Sequence, residues 1–175
     1  MSRILPQLSL VLGGARSGKS RLAERLVIET ALPRHYIATA EPWDAEMRVR
    51  IAQHQADRGD DWTTWAAPLN VPAVLAQIGP GQAVLLDCAT LWLTNHLLAD
   101  ADMLAQSAAL LTALAACVSP VVVVSNEVGW GIVPENALAR AFRDHQGRLN
   151  QQIAAQADLV VAVIAGLPMV LKGAL

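Results

Sequence analysis

Gly13-Gly14-Ala15-Arg16-Ser17-Gly18-Lys19-Ser20 decides the fold of this chain, because of what lies on either side of it. The stretch fits the pattern G-x-x-x-x-G-K-[ST]. Before it runs Leu8–Leu12 (LSLVL), a short apolar run suited to a buried strand. After it, Ser20–Ala31 sets Leu22, Leu26 and Val27 at helical spacing. A strand that turns through glycines straight into a helix is the context in which this pattern holds phosphate. Gly13, Gly14 and Gly18, with Ala15, Arg16 and Ser17 between them, let main-chain N–H groups ring an anion, and the helix start adds the positive end of its dipole. In that arrangement Lys19 neutralises the β- and γ-phosphate oxygens of a nucleoside triphosphate, and Ser20 ligates Mg2+.

Working outward, short apolar runs alternate with longer helical ones. His35–Thr39 (HYIAT) reads as a second strand. Asp44–Asp57 reads as a helix with Met47, Ile51 and His54 along one face, and Trp62–Ala66 as a short strand. A helix over Val71–Ile78 precedes the buried strand Ala83–Leu86, which ends in Asp87. Thr90–Leu98 and Met103–Cys117 are helical, Val121–Val124 (VVVV) is a strand buried on both faces, Asn136–Ala157 is a long amphipathic helix, and Leu159–Ile164 is a further strand. This alternation predicts one α/β domain over residues 1–175 with a mostly parallel sheet covered on both sides. A phosphate loop of this kind needs a second carboxylate at the end of a neighbouring strand, and Asp87 fills that position, either as a Mg2+ ligand or as a helix cap.

Composition narrows the classes. Of 175 residues, 54% are apolar and 16% charged, which excludes disorder. The net charge of −2 comes without any basic stripe, against a nucleic-acid partner. Mean hydropathy is +0.36, yet the longest uncharged apolar stretch, Leu159–Leu171, is 13 residues long and holds Gly166 and Pro168. A membrane span needs about 20 residues, so the stretch reads as a buried strand and turn. The N-terminus has no apolar leader with a cleavage site. Cys88 and Cys117 have neither metal-type spacing nor a disulfide framework and read as small buried hydrophobes of a reducing cytoplasm.

Four segments together resemble one family: GGARSGKS at the phosphate loop, YIATAEPWDAEMRVRIAQHQADR from Tyr36, LLDCATLWLTN from Leu85, and NEVGWGIVPENALARAFRDHQGRLNQQIA from Asn126. The chain is similar to the bifunctional adenosylcobinamide kinase/adenosylcobinamide-phosphate guanylyltransferases of cobalamin biosynthesis, from about Ser9 to near the C-terminus. The second and fourth segments are far more specific than the phosphate loop.

The resemblance implies a three-layer P-loop NTPase-type domain, RecA-like in its sheet, in a cytoplasmic homotrimer without a membrane span. It implies two reactions: transfer of a γ-phosphate from ATP or GTP to the aminopropanol hydroxyl of adenosylcobinamide, and transfer of GMP from GTP, through an enzyme histidine, onto that phosphate. The histidine corresponds to His54. Gln55, Ala56, Asp57 and Arg58 after it, and Thr39, Ala40 and Glu41 after the second strand, correspond to guanine-nucleotide contacts. Asp87 stands where relatives carry Glu, serving ribose or Mg2+. Ala66, after Trp62-Thr63-Thr64-Trp65, stands where the family often has a nucleotide-contacting glutamate; either a neighbour compensates or guanine selectivity is looser.

The chemistry of His54 is sound on its own terms. An imidazole with an ordinary pKa near 6.5 is largely neutral at pH 7 and nucleophilic, and a covalent step divides one difficult transfer into two. His35, His96 and His145 read as structural or solvent-facing. Asn126 and Glu127 follow the VVVV strand at the edge where open α/β sheets bind ligands. Arg140, Arg143 and Arg148 read as a solvated helix face, with phosphate contact the alternative. Trp43, Trp92 and Trp130 stand beside the site segments and offer broad apolar area, with ordinary core packing the simpler reading of any one of them. A kinase for another hydroxylated metabolite and a regulatory nucleotide-binding module are the competing readings.

Overall fold

The computed structural model describes residues 4–42, 45, 48–49, 52–53, 56, 59 and 61–175. Strands and helices alternate: β1 (Leu8–Gly13), α1 (Lys19–Ile28), β2 (Arg34–Ala38), β3 (Trp62–Ala66), α2 (Val71–Leu75), β4 (Ala83–Asp87), α3 (Ala89–Leu98), α4 (Met103–Ala116), β5 (Val121–Asn126), α5 (Ala137–Gln156), β6 (Leu159–Ile164) and β7 (Leu167–Lys172). Between β2 and β3, Ala45, Arg48, Val49, Ala52, Gln53 and Ala56 are helical. Met47, Ile51 and His54, expected on one face there, lie outside the described residues.

The sheet has seven strands in the order β3-β2-β4-β5-β1-β6-β7. Every pairing is parallel except β6 with β7. Two-sided burial explains the uniformly apolar strands. Leu8, Leu10, Ile37, Val84, Leu86, Val121 and Val123 pack with Trp92 and Leu93 of α3, Leu110 and Leu114 of α4, and Leu149 and Ile153 of α5. Val11, Tyr36, Leu85, Val122, Val124, Val161 and Val163 face Leu22, Ala23, Leu26 and Val27 of α1. Successive strand residues point to opposite faces, so each parallel strand fills both cores. The mostly parallel sheet expected from the alternating pattern, and the three-layer P-loop architecture that the resemblance implies, are the ones observed.

The C-terminal apolar stretch differs from its reading as a buried strand and turn. Leu159–Val161 and Val163 are buried, but Leu167–Lys172 is a separate antiparallel strand, exposed throughout, on the sheet edge. Ala165 and Gly166 join the two with φ of 53° and 79°, a two-residue turn whose twist suits a hairpin. Ala at the first position gives this turn little of the usual Asn-Gly signature. Trp92, next to the Asp87 segment in sequence, packs fully buried in the core, the ordinary reading of a single Trp, with its indole N–H donating to the Leu69 carbonyl at 3.0 Å.

Candidate active site

The catalytic edge is set by register. Gly13 at the end of β1 pairs with Asn126 of β5 and Val163 of β6, while Asp87 of β4 pairs with Val124 and with Ala38 of β2. The phosphate loop therefore emerges beside the carboxyl ends of the other parallel strands, where such sheets bind ligands.

The loop is braced from both sides. The Glu127 amide donates to the Gly13 carbonyl at 3.2 Å, and the Gly166 amide to the Ser17 carbonyl at 2.9 Å; within the loop, the Ser17 amide donates to Gly14 at 3.3 Å. Gly13 must be glycine, since a Cβ there would run into the Ser17 side chain and lie 2.8 Å from the Val163 carbonyl oxygen. Arg16 and Gly18 take φ of 56° and 94°, turning the backbone tightly into α1. Gly18 caps α1 without any side-chain hydrogen bond, and the first turn holds no acidic residue. The first-turn N–H groups of a helix lack carbonyl partners within it, so an anion there meets N–H donors and positive dipole together. The Ser17 hydroxyl oxygen is buried with no protein partner. Lys19 Nζ donates to the Gly14 carbonyl at 3.0 Å, which holds the ammonium over the loop.

Asp87 is half-buried and accepts a hydrogen bond from the Tyr36 hydroxyl at 3.2 Å. The thiol of Cys88, next in the chain, is pushed up to about 12, chiefly by burial and then by the Asp87 charge, with Lys19 opposing. Cys88 stays protonated and caps α3 by accepting from the Leu91 amide; it is no nucleophile. Both cysteines are free and buried, as their spacing indicated.

Thr39 is fully buried. Its hydroxyl donates to the Cys88 carbonyl and accepts from the Cys88 amide, each at 2.8 Å, and its carbonyl accepts from Asn95 at 2.9 Å. Its side chain thus ties β2 to the start of α3. Ala40 and Glu41 are half-buried beyond it, and Ala66 ends β3 beside Ala38. Ala56 is helical and exposed, while His54, Gln55, Asp57 and Arg58 lie outside the described residues.

His35 and His96 are tied into the framework, and His145 is half-buried on α5. His35 accepts from Trp65 at 2.9 Å and meets Gln82. His96 is buried against Trp92, with Nε2 3.2 Å from the Leu69 carbonyl. Arg140 donates to the Pro134 carbonyl at 2.9 Å and to that of Glu135, closing the loop before α5. Arg143 pairs with Asp144 at 3.4 Å.

Sequence reasoning missed a buried polar network behind the site. Gln146 and Asn150 of α5 meet the Ser125 hydroxyl at 2.8 and 2.6 Å. Asn150 also donates to the Asn126 carbonyl at 3.0 Å, and the Asn126 amide donates to Thr90 at 2.8 Å. This fixes the end of β5, from which the loop carrying Glu127 departs. The signal was present: Gln146 and Asn150 share the helical phase of core residues Leu149 and Ile153, where a polar residue needs a partner.

Comparison with known proteins agrees with this geometry. Residues 9–171 match the family described as cobinamide kinase / cobinamide phosphate guanyltransferase. The bifunctional adenosylcobalamin biosynthesis protein CobP of Pseudomonas aeruginosa is 48% identical over 167 residues, covering 94% of this chain and 96% of that protein. The corresponding CobU of Escherichia coli is 41% identical, covering 93% and 98%. Among solved structures, the RadB recombinase superposes with a TM-score of 0.54 at 16% identity over 90% of this chain and 74% of that one. Flagellar accessory protein FlaH from Methanocaldococcus jannaschii gives 0.53 at 12%, over 97% and 80%. Those two similarities establish the fold alone, a RecA-like P-loop architecture, whereas the match in sequence runs almost end to end with proteins that join two transferase activities. The chain belongs to the CobU family of cobinamide kinase / cobinamide phosphate guanyltransferases, and its phosphate loop is that of a bifunctional enzyme.

Proposed function

We propose that the chain phosphorylates the aminopropanol hydroxyl of adenosylcobinamide and then guanylylates the product, with the residues of the Gly13–Ser20 loop cradling the triphosphate in the kinase step. The observation that carries this reading is the braced, side-chain-uncapped start of α1, with Lys19 over it and Asp87 two strands away. Lys19 neutralises charge on the transferring phosphoryl group, and the loop amides orient it.

Among the described residues no three His, Cys, Asp or Glu side chains cluster as a metal site. That fits Mg2+, which keeps several waters and takes phosphate oxygens beside one or two protein donors. Ser20 and Asp87 would be those donors, and an ion held there would supply charge neutralisation to the triphosphate. Tyr36 holds the Asp87 carboxylate in place.

In the second reaction a neutral ring nitrogen of His54 attacks the α-phosphorus of GTP. A P–N bond forms, the bond to the β-phosphate oxygen breaks, and pyrophosphate leaves. A phosphate oxygen of adenosylcobinamide phosphate then attacks the same phosphorus and releases the imidazole. Ala40, Glu41, Gln55, Ala56, Asp57 and Arg58 border the guanine nucleotide in this reading, and Arg58 suits a bidentate phosphate contact. Thr39 contributes by fixing the backbone that leads to Ala40. ATP and GTP both serve as nucleotide substrates.

No described helix is long and apolar enough to cross a membrane; the cytoplasm is the compartment that the family's biosynthetic role supports. The exposed apolar edge strand β7 supports self-association of the chain, with the homotrimer the assembly that the family resemblance implies.

Incubation with GTP labelled at the α-phosphate, followed by denaturation, tests the covalent step. Acid-labile, alkali-stable label that disappears in His54→Ala is the expected result; no retained protein-bound label overturns it. Formation of adenosylcobinamide phosphate from ATP, lost in Lys19→Ala, tests the kinase half separately.

A further inference from the structure

We infer that the loop between β5 and α5 is the dock for the corrin ring, with Trp130, Ile132 and Val133 presenting its apolar surface. This rests on the chain's being a cobinamide kinase. Trp130 is 81% exposed, Ile132 98%, Val133 60%, and Leu138 at the start of α5 54%. Four large apolar side chains within nine residues are all turned to solvent, and apolar exposure concentrated in this way is what marks a binding surface.

The loop is nonetheless firmly anchored. Its start is tied to the phosphate loop through the Glu127 amide and the Gly13 carbonyl at 3.2 Å, and the Glu127 carboxylate accepts from the Gly129 amide at 2.9 Å. Its end is held by Arg140 on the Pro134 carbonyl and by Asn136, which accepts from the Ala139 amide at 2.7 Å. A loop held at both ends in this way presents these side chains between two fixed points.

Position selects the occupant. β5 is the neighbour of β1 in the sheet, so the loop leaving β5 stands next to the phosphate loop. The phosphoryl acceptor is the hydroxyl at the tip of a short arm, which must come up to the γ-phosphate over Lys19. The macrocycle that bears the arm must then rest an arm's length away, on whatever adjoins the phosphate loop. On the β6 side that is the two-residue turn Ala165-Gly166, too small to offer a surface; on the β5 side it is Trp130–Val133. A corrin macrocycle carries methyl groups between the amide arms of its rim and apolar ring surface around its metal, and Trp offers wide apolar area with little rotamer entropy to lose. A second copy of the chain has a better place to bind, the exposed edge of β7, which offers unpaired backbone groups beside Leu167, Met169, Val170 and Leu171.

The test compares Trp130→Ala and Ile132→Ser with the unsubstituted protein. The expected result is a KM for adenosylcobinamide raised about tenfold, the range of a lost buried aromatic or aliphatic contact, with the KM for ATP unchanged. Equilibrium dialysis of the coloured corrinoid should show the same loss, and Trp130→Phe should recover most of it. Unaltered corrinoid affinity in both variants overturns the inference. So does dissociation to a smaller species on sedimentation, which would assign the patch to a subunit contact. Failure of the cobinamide kinase reading itself is a different result: the unsubstituted protein would neither bind nor phosphorylate the corrinoid.

Discussion

The amide of Gly166, in the turn between β6 and β7, donates a 2.9 Å hydrogen bond to the carbonyl of Ser17 in the phosphate loop. Gly166 Cα also lies 3.4 Å from where a Gly18 side chain would begin. The far edge of the sheet thus props the catalytic loop. Gly166→Ala forces an L-residue to φ of 79°, at a cost of about 1–2 kcal/mol. It should lower the melting temperature and raise the KM for ATP modestly. Gly13→Ala, whose Cβ would press on the Val163 carbonyl and the Ser17 side chain, should abolish nucleotide binding in calorimetry while circular dichroism stays native.

Tyr36 is a positioning residue for Asp87. Hydrogen bonds to charged groups are worth about 1.5–3 kcal/mol, so Tyr36→Phe should reduce the kinase kcat about tenfold, with the KM for adenosylcobinamide unchanged and the Mg2+ requirement raised. Asp87→Asn should cost about 10²–10³ in kcat. Steady-state kinetics at varied Mg2+ concentrations checks the order.

Asn150→Ala removes the acceptor of the Ser125 hydroxyl, which keeps its donor Gln146 on α5, and the side-chain donor to the Asn126 carbonyl. Stranding buried polar groups costs about 1–3 kcal/mol each. Urea unfolding should show a loss of about 2–4 kcal/mol, and the KM for the corrinoid should rise because the β5 end no longer fixes its loop.

Cys88 makes stability fall in alkali. Its thiol sits near 9.0 when unfolded and at about 12 when folded, so between those values the unfolded chain has lost a proton that the native protein still holds. Stability is full below the lower value and declines as pH rises toward the upper one, by at most about 1.4 kcal/mol per pH unit. Urea midpoints measured across that interval should fall steeply, and less steeply in Cys88→Ala.

His96 acts at the other end. Burial lowers its pKa below 6.5, so the unfolded chain takes up a proton first on acidification. Its contribution is complete above 6.5 and is lost as pH drops through the folded value. His96→Phe should flatten the acid limb of a melting-temperature profile.

Much of this was legible in the order of residues, for identifiable reasons. The phosphate loop announces itself because few residue types can occupy Gly13, Gly18 and Lys19 together, and VVVV can only be a strand sealed on both faces. β7 escaped because an apolar run carries no record of which face meets protein and which meets water; Leu167–Leu171 reads like Leu159–Val163. Trp92 and Trp130 were alike on paper, yet one fills the core under Leu69 and the other stands in solvent. Thr39 corresponds to a nucleotide contact by resemblance alone; its side-chain pairing with Cys88 could not be read in the sequence, because that neighbour is 49 residues away in the chain.

β1 lies between β5 and β6, bonded to residues 121–126 on one side and 159–163 on the other. A chain made from its N-terminus therefore presents Gly13–Ser20 to the cell long before the strands that shape it exist. Such distant pairing slows folding, and until Gly166 is synthesised the loop lacks its last brace. Nucleotide capture is thus a property of nearly the whole translated chain, so a ribosome-bound fragment ending before β6 should bind no triphosphate, and retention of nascent chains by immobilised ATP would report the moment at which the sheet closes.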